Sequence, residues 1–135
     1  MLYMLDTNIC SYIIRDNPKS VFEKLKEVEQ DHTIALSSIV VSELLYGASK
    51  KGSVKLMKVV SLFVDQFVIH DYDKASAKAY AKIRTTLEKK GKVIGVHDML
   101  ISAHALSLDA VIVTNNTKEF ERVEGLSLEN WVETI

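Results

Sequence analysis

Asp6, Glu43 and Asp98 are far apart in the chain, yet each falls where a regular element begins or ends. Asp6 is the first polar residue after the apolar run 2–5, Glu43 stands about one helical turn into an amphipathic segment, and Asp98 opens another. Carboxylates gathered in one place repel and raise one another's pKa, which costs stability unless a cation sits among them. Hard oxygen donors in a partly open octahedron suit Mg²⁺ or Mn²⁺. Such an ion acidifies water and stabilises charge on a phosphoryl group. Zinc is a poor fit, because Cys10, His32, His70, His97 and His104 show no ligand-pair spacing. Each residue also has a plainer reading. Asp6 and Asp98 can be helix N-caps, Glu43 and His97 can be surface residues, and His104, between alanines, can be a satisfied histidine at the core edge. Tyr46 and Trp131 read as packing groups rather than base-stacking ones.

The elements that must position these acids alternate between strand and helix. Short apolar runs at 2–5, 33–38, 67–69 and 110–114 read as buried strands, with a last short strand within 126–132. Helical periodicity is expected over 8–15, after Pro18, and over 39–50, 54–64 and 96–108; a longer helix runs from Asp73 as its cap to about Lys90, with Gly91 ending it. Strands separated by helices predict a mainly parallel sheet covered on both faces. In such sheets ligands bind beyond the carboxyl ends of the strands. Asp6 and the group Thr114, Asn115 and Asn116 then fall on one sheet edge, with Glu43 and Asp98 able to face the same crevice.

One domain spanning 1–135 is expected, with 47% hydrophobic and 26% charged residues. A single cysteine excludes an intramolecular disulfide, and no apolar run is long enough to cross a bilayer, so the cytoplasm is the expected compartment. The net charge of −1 gives no hint of a nucleic-acid partner; its distribution is more informative, since Lys50 to Lys92 holds eleven basic and four acidic residues. That stretch reads either as a phosphate-steering surface or as solvated helix faces.

Four motifs carry a resemblance. M-L-D-T-N at Met4 to Asn8, S-E-L-L-Y-G at Ser42 to Gly47, I-G-V-H-D-M-L-I-S-A-H-A at Ile94 to Ala105 and V-T-N-N-T-K-E-F-E-R-V at Val113 to Val123 resemble, in order, the motifs of PIN-domain nucleases. The likeness is greatest to the VapC toxins of bacterial toxin–antitoxin pairs. It implies an α/β/α sandwich and Mg²⁺- or Mn²⁺-dependent hydrolysis of RNA, with tRNA, and initiator tRNA cut in its anticodon region, as the substrate. It also implies a homodimer, inhibition by a VapB antitoxin, and contact with DNA only through that antitoxin. By position Asp6, Glu43 and Asp98 take the family's acidic places. The fourth place departs from the pattern: Asn116 stands where many PIN domains have Asp, and Glu119 becomes the substitute. The resemblance then implies that Asp6 and Asp98 hold the metal, that Glu43 assisted by Glu119 activates water, and that Thr114 and Asn116 bond the metal's water shell or a phosphate oxygen. Two other readings remain. One is a haloacid-dehalogenase-like phosphatase using Asp6, Thr114 and Lys118, although Asn8 is not the second acid that scheme wants. The other is a PIN domain that binds without cleaving.

Overall fold

A computed structural model describes residues 1–132. Five strands and seven helices alternate: β1 (Leu2–Leu5), α1 (Thr7–Arg15), α2 (Lys19–Val28), β2 (Thr33–Ser37), α3 (Ser38–Lys51), α4 (Val54–Val64), β3 (Val68–His70), α5 (Lys74–Lys90), α6 (Val96–Leu108), β4 (Val111–Val113), α7 (Thr117–Phe120) and β5 (Ser127–Glu129). Local chemistry explains most boundaries. The side chains of Asp6, Ser37, Ser53 and Asp73 each accept a hydrogen bond from a backbone amide in the first turn of α1, α3, α4 and α5, relieving amides that lack partners within the helix. Gly91, at φ 66°, ends α5 in the left-handed conformation that a glycine adopts without steric cost.

The strands form one parallel sheet in the order β3-β2-β1-β4-β5. The chain runs outward from β1 to β2 to β3, then returns to the other side of β1 to lay down β4 and β5. Right-handed crossovers consequently place α1–α4 on one face and α5–α7 on the other. The packing agrees: α3 lies on α4, α1 touches α2, α3 and α4, and α6 lies between α5 and α7. The main core joins the sheet to α1–α4 through Leu5, Ile9, Leu36, Val40 and Ile112; a second, smaller cluster around Ile83, Leu87, Met99 and Val123 fills the space under α5 and α6.

The structure departs from the sequence reading in three places. Asp98 is not the cap of α6: Gly95 takes that position and Asp98 is the third helical residue, so its carboxylate is not needed to start the helix. Tyr46 does not pack; it is 66% exposed, because the buried stripe of α3 runs through Val40, Leu44 and Ala48. The four-residue α7 was not expected, since one turn leaves no periodicity to read. Trp131 is buried as expected, and its indole N–H donates to Glu129 Oε1 at 2.9 Å.

Candidate active site

The order of strand addition reverses between β1 and β4, which makes the carboxyl ends of these neighbours the natural crevice of the sheet. Leu5 is in register with Val113, and the Asp6 amide donates to the Val113 carbonyl at 3.0 Å. Asp6 and Thr114 are thus the first residues beyond two adjacent strand ends. Both are buried.

Asp6 has two roles at once. Its Oδ1 accepts from the Ile9 amide at 2.8 Å, so the cap reading is correct, while the Thr114 hydroxyl beside the same carboxylate favours its charged form. Thr114 Oγ1 in turn accepts from the Asn116 amide at 2.9 Å, which folds the segment after β4 back toward Asp6. Burial pushes the Asp6 carboxyl above its ordinary value; the two hydrogen bonds oppose that, and the nearby charge of Glu43 adds to it.

The other acids arrive from both layers. Glu43 comes from α3, and the Thr7 hydroxyl donates to its Oε2 at 3.0 Å. Its Oε1 is buried without a hydrogen bond, although His97 Nδ1 lies 3.4 Å away. Asp98 comes from α6 and shares a hydrogen bond with Glu119 of α7. Burial, this bond and the charges of Glu119, Asp6 and Glu43 push Asp98 up to about 7, while Glu119 is lowered as the acceptor of the bond. Asn116 Nδ2 donates to Glu119 Oε2 at 2.9 Å and holds it in place. Asp6, Glu43, Asp98 and Glu119 are therefore brought into one electrostatically coupled group, with Thr114 and Asn116 attached to it by hydrogen bonds.

Two neighbours of Glu43 were weakly marked in the sequence. Thr7 stands at the first turn of α1, where only the position of α3, 36 residues later, shows what its hydroxyl serves. His97 is largely exposed at the rim. His104 is a satisfied core histidine: its Nδ1 lies 2.7 Å from Ser37 Oγ, and the Tyr72 ring meets it edge-on. Among the described residues, no three His, Cys, Asp or Glu side chains stand close enough together to hold a metal ion between them. What is present is a set of carboxylate oxygens, one of them buried without a hydrogen bond, around a carboxyl whose pKa its neighbours raise. That donor set fits an ion such as Mg²⁺, which binds through one or two carboxylates and keeps several waters.

Known proteins share this arrangement of elements. Ribonuclease VapC2 of Rickettsia felis is 45% identical over 132 residues, covering 97% of this chain and 98% of that protein. The tRNA(fMet)-specific endonuclease VapC of Shigella flexneri is 41% identical over 130 residues, 96% and 97% of the two chains. The crystal structure of VapBC2 from Rickettsia felis bound to a promoter DNA fragment superposes with a TM-score of 0.92 at 44% identity, covering 98% of this chain and all of that one. Residues 3–126 match the PIN domain family itself. This membership displaces the phosphatase reading of Asp6, Thr114 and Lys118, and with the extent of these likenesses it establishes that the chain belongs to the VapC group of PIN-domain proteins.

Proposed function

We propose that this protein is a toxin of a type II toxin–antitoxin pair that hydrolyses RNA with the help of Mg²⁺ or Mn²⁺ and is inhibited by a VapB-type antitoxin. The observation that carries the reading is the group of mutually repelling acids at the switch point, with one buried Glu43 oxygen that accepts no hydrogen bond. The relatives' names supply the substrate class, tRNA, with initiator tRNA as the specific case. The cytoplasm, where tRNA is found, is the compartment of action.

Asp6 and Asp98 would hold the ion, which when bound supplies charge stabilisation at phosphorus and a more acidic water. The chain's own residues do the rest. Thr7 fixes Glu43 through Oε2, so that Oε1 is free to take the proton of an attacking water. Asn116 holds Glu119 against Asp98, and this pair can keep or release one proton as charge in the site changes. Thr114 orients Asp6. Positioning and electrostatic stabilisation account for the rate without a covalent intermediate. Incubation of purified protein with total tRNA, with Mn²⁺ or with EDTA, tests the reading. Metal-dependent cuts are expected, and their absence with both Mg²⁺ and Mn²⁺ would leave a PIN domain that only binds.

The partner half of the proposal is supported by a groove of about 530 Å³ on the α1–α4 face, lined by Ile13, Phe22, Leu25, Leu62 and Phe63 among others. Leu62 is 57% exposed there, and a groove in which apolar side chains alternate with Lys26, Glu29 and Gln66 suits an amphipathic helix of a partner. The same reading includes a homodimer and contact with DNA only through the antitoxin. Expression alone is expected to arrest bacterial growth, and co-expression of the antitoxin to restore it. Leu62→Glu should weaken antitoxin binding more than tenfold and abolish rescue, while RNA cleavage stays at the wild-type rate. Rescue of the variant at wild-type antitoxin levels would place the partner elsewhere.

A further inference from the structure

A second groove, of about 420 Å³, runs along the protein between α1 and α3. Thr7 and Glu43 line it at one end, and Arg15 and Lys51 line it at the other. Along each helix the two ends are eight residues apart, which is about 12 Å at 1.5 Å per residue. Asn8 and Ser11 form polar wall between them. Arg15 and Lys51 are both exposed, and among the described residues neither lies within ion-pair distance of a carboxylate. The groove is thus continuous with the acid group and ends in two unneutralised cations.

We propose that this groove takes the RNA strand beside the scissile bond, with Arg15 and Lys51 each holding a backbone phosphate. The assignment rests on the RNA-hydrolase reading and adds to it the path of the substrate. The acid group repels phosphate, so a strand laid across it needs cations within a few nucleotides, and this groove supplies them. Of the three basic residues at the end of α3 and the start of α4, Lys50, Lys51 and Lys55, only Lys51 lines the groove. A plainer role competes: Arg15 and Lys51 are the last residues of α1 and α3, where a positive charge complements the helix dipole. Lys89 and Lys90 at the end of α5 occupy the same helical position outside the groove and serve as matched controls.

The test is binding of a fluorescein-labelled 12-nucleotide single-stranded RNA to the full chain carrying Asp98→Asn, read across a salt series. On that background Arg15→Gln and Lys51→Gln are each expected to flatten the log–log salt slope by about 0.7, the amount for one phosphate contact on a single strand. The double variant should flatten it by about 1.4 with an unchanged melting temperature, and Lys89→Gln/Lys90→Gln should leave it unchanged. With Asp98 restored, the double variant should raise KM more than tenfold at little change in kcat. Unchanged slopes, or equal losses in the control, overturn the proposal. So does a double variant that keeps its RNA slope and loses affinity for the purified antitoxin, since the groove then takes protein. If wild-type protein cleaves no RNA with either metal, the hydrolase reading fails, while the binding slopes still decide whether the groove holds phosphate.

Discussion

Asp6→Asn, Glu43→Gln and Asp98→Asn are each expected to reduce RNA cleavage by at least about 10²–10³-fold, the cost of removing one preorganised electrostatic group from such a site. The fold should survive all three. Asparagine still offers an oxygen to the Ile9 amide in place of Asp6 and is as good an N-cap; Asp98 caps nothing, because Gly95 does; and Glu43→Gln keeps an oxygen for the Thr7 hydroxyl. The losses should not add, because the acids form one coupled group: a double variant should be hardly worse than the more damaged single one. Glu119→Gln should cost less, since it acts on Asp98 through a shared hydrogen bond. Single-turnover rates on one defined tRNA, with circular dichroism as the control for folding, measure all of this. Wild-type rates in any of the first three variants, after excluding carry-over of active protein, would remove that residue from the site.

The second large effect is on stability without metal. Asp98 holds its proton up to about pH 7 in the folded protein, against an ordinary value of 3.8. A group whose folded pKa is raised gives its full contribution below the unfolded value and loses it as pH rises through the folded value. Metal-free wild-type protein should therefore lose stability between about pH 4 and pH 7 relative to Asp98→Asn, and the two should converge at the acid end of that window. Asp98 is only half-buried, and solvent screening discounts the effect to about 1 kcal/mol, or about 3–5 °C in melting temperature for a domain of this size. In EDTA at pH 7.5 the variant should melt higher than wild type. Mn²⁺ should raise the wild type by several degrees and the variant by less, since a ligand stabilises only the state that binds it. Scanning calorimetry of both proteins at pH 5 and 7.5, with and without Mn²⁺, gives the answer; equal metal shifts in the two proteins would mean that Asp98 holds no ion.

Much of the scaffold is legible from residues that act locally. Asp73 and Gly91 mark the ends of α5 because a capping carboxylate and a left-handed glycine work within one turn of chain. Pro18 marks the start of α2 for the same reason. The sheet edge that gathers the acids also follows from the sequence, because apolar runs ending in Asp6 and Thr114 are visible as such. What lies beyond local reach is the partnership of side chains. The Thr7–Glu43 bond spans 36 residues, and the Asp98–Glu119 bond depends on α7, a single turn too short to show a period. In sequence Asp98 reads as a helix cap as readily as a ligand, because only the folded backbone places Gly95 at the start of α6. An aromatic residue in an apolar-rich helix resembles core, and only the orientation of α3 shows Tyr46 facing outward.

The separation of the four acids along the chain has a consequence for how such a protein is made. Asp6 leaves the ribosome early, but β4, the strand that pairs beside β1 and carries Thr114, begins at Val111, and Glu119 follows it. A nascent chain stalled anywhere before these residues has an open flank on its central strand and an incomplete acid group. Domains of this kind fold as units, so synthesis itself releases no nuclease until nearly all of the residues described here have emerged. An interval thus separates the start of translation from the first active molecule, and an inhibitor already present when that interval closes meets the nuclease before it has acted.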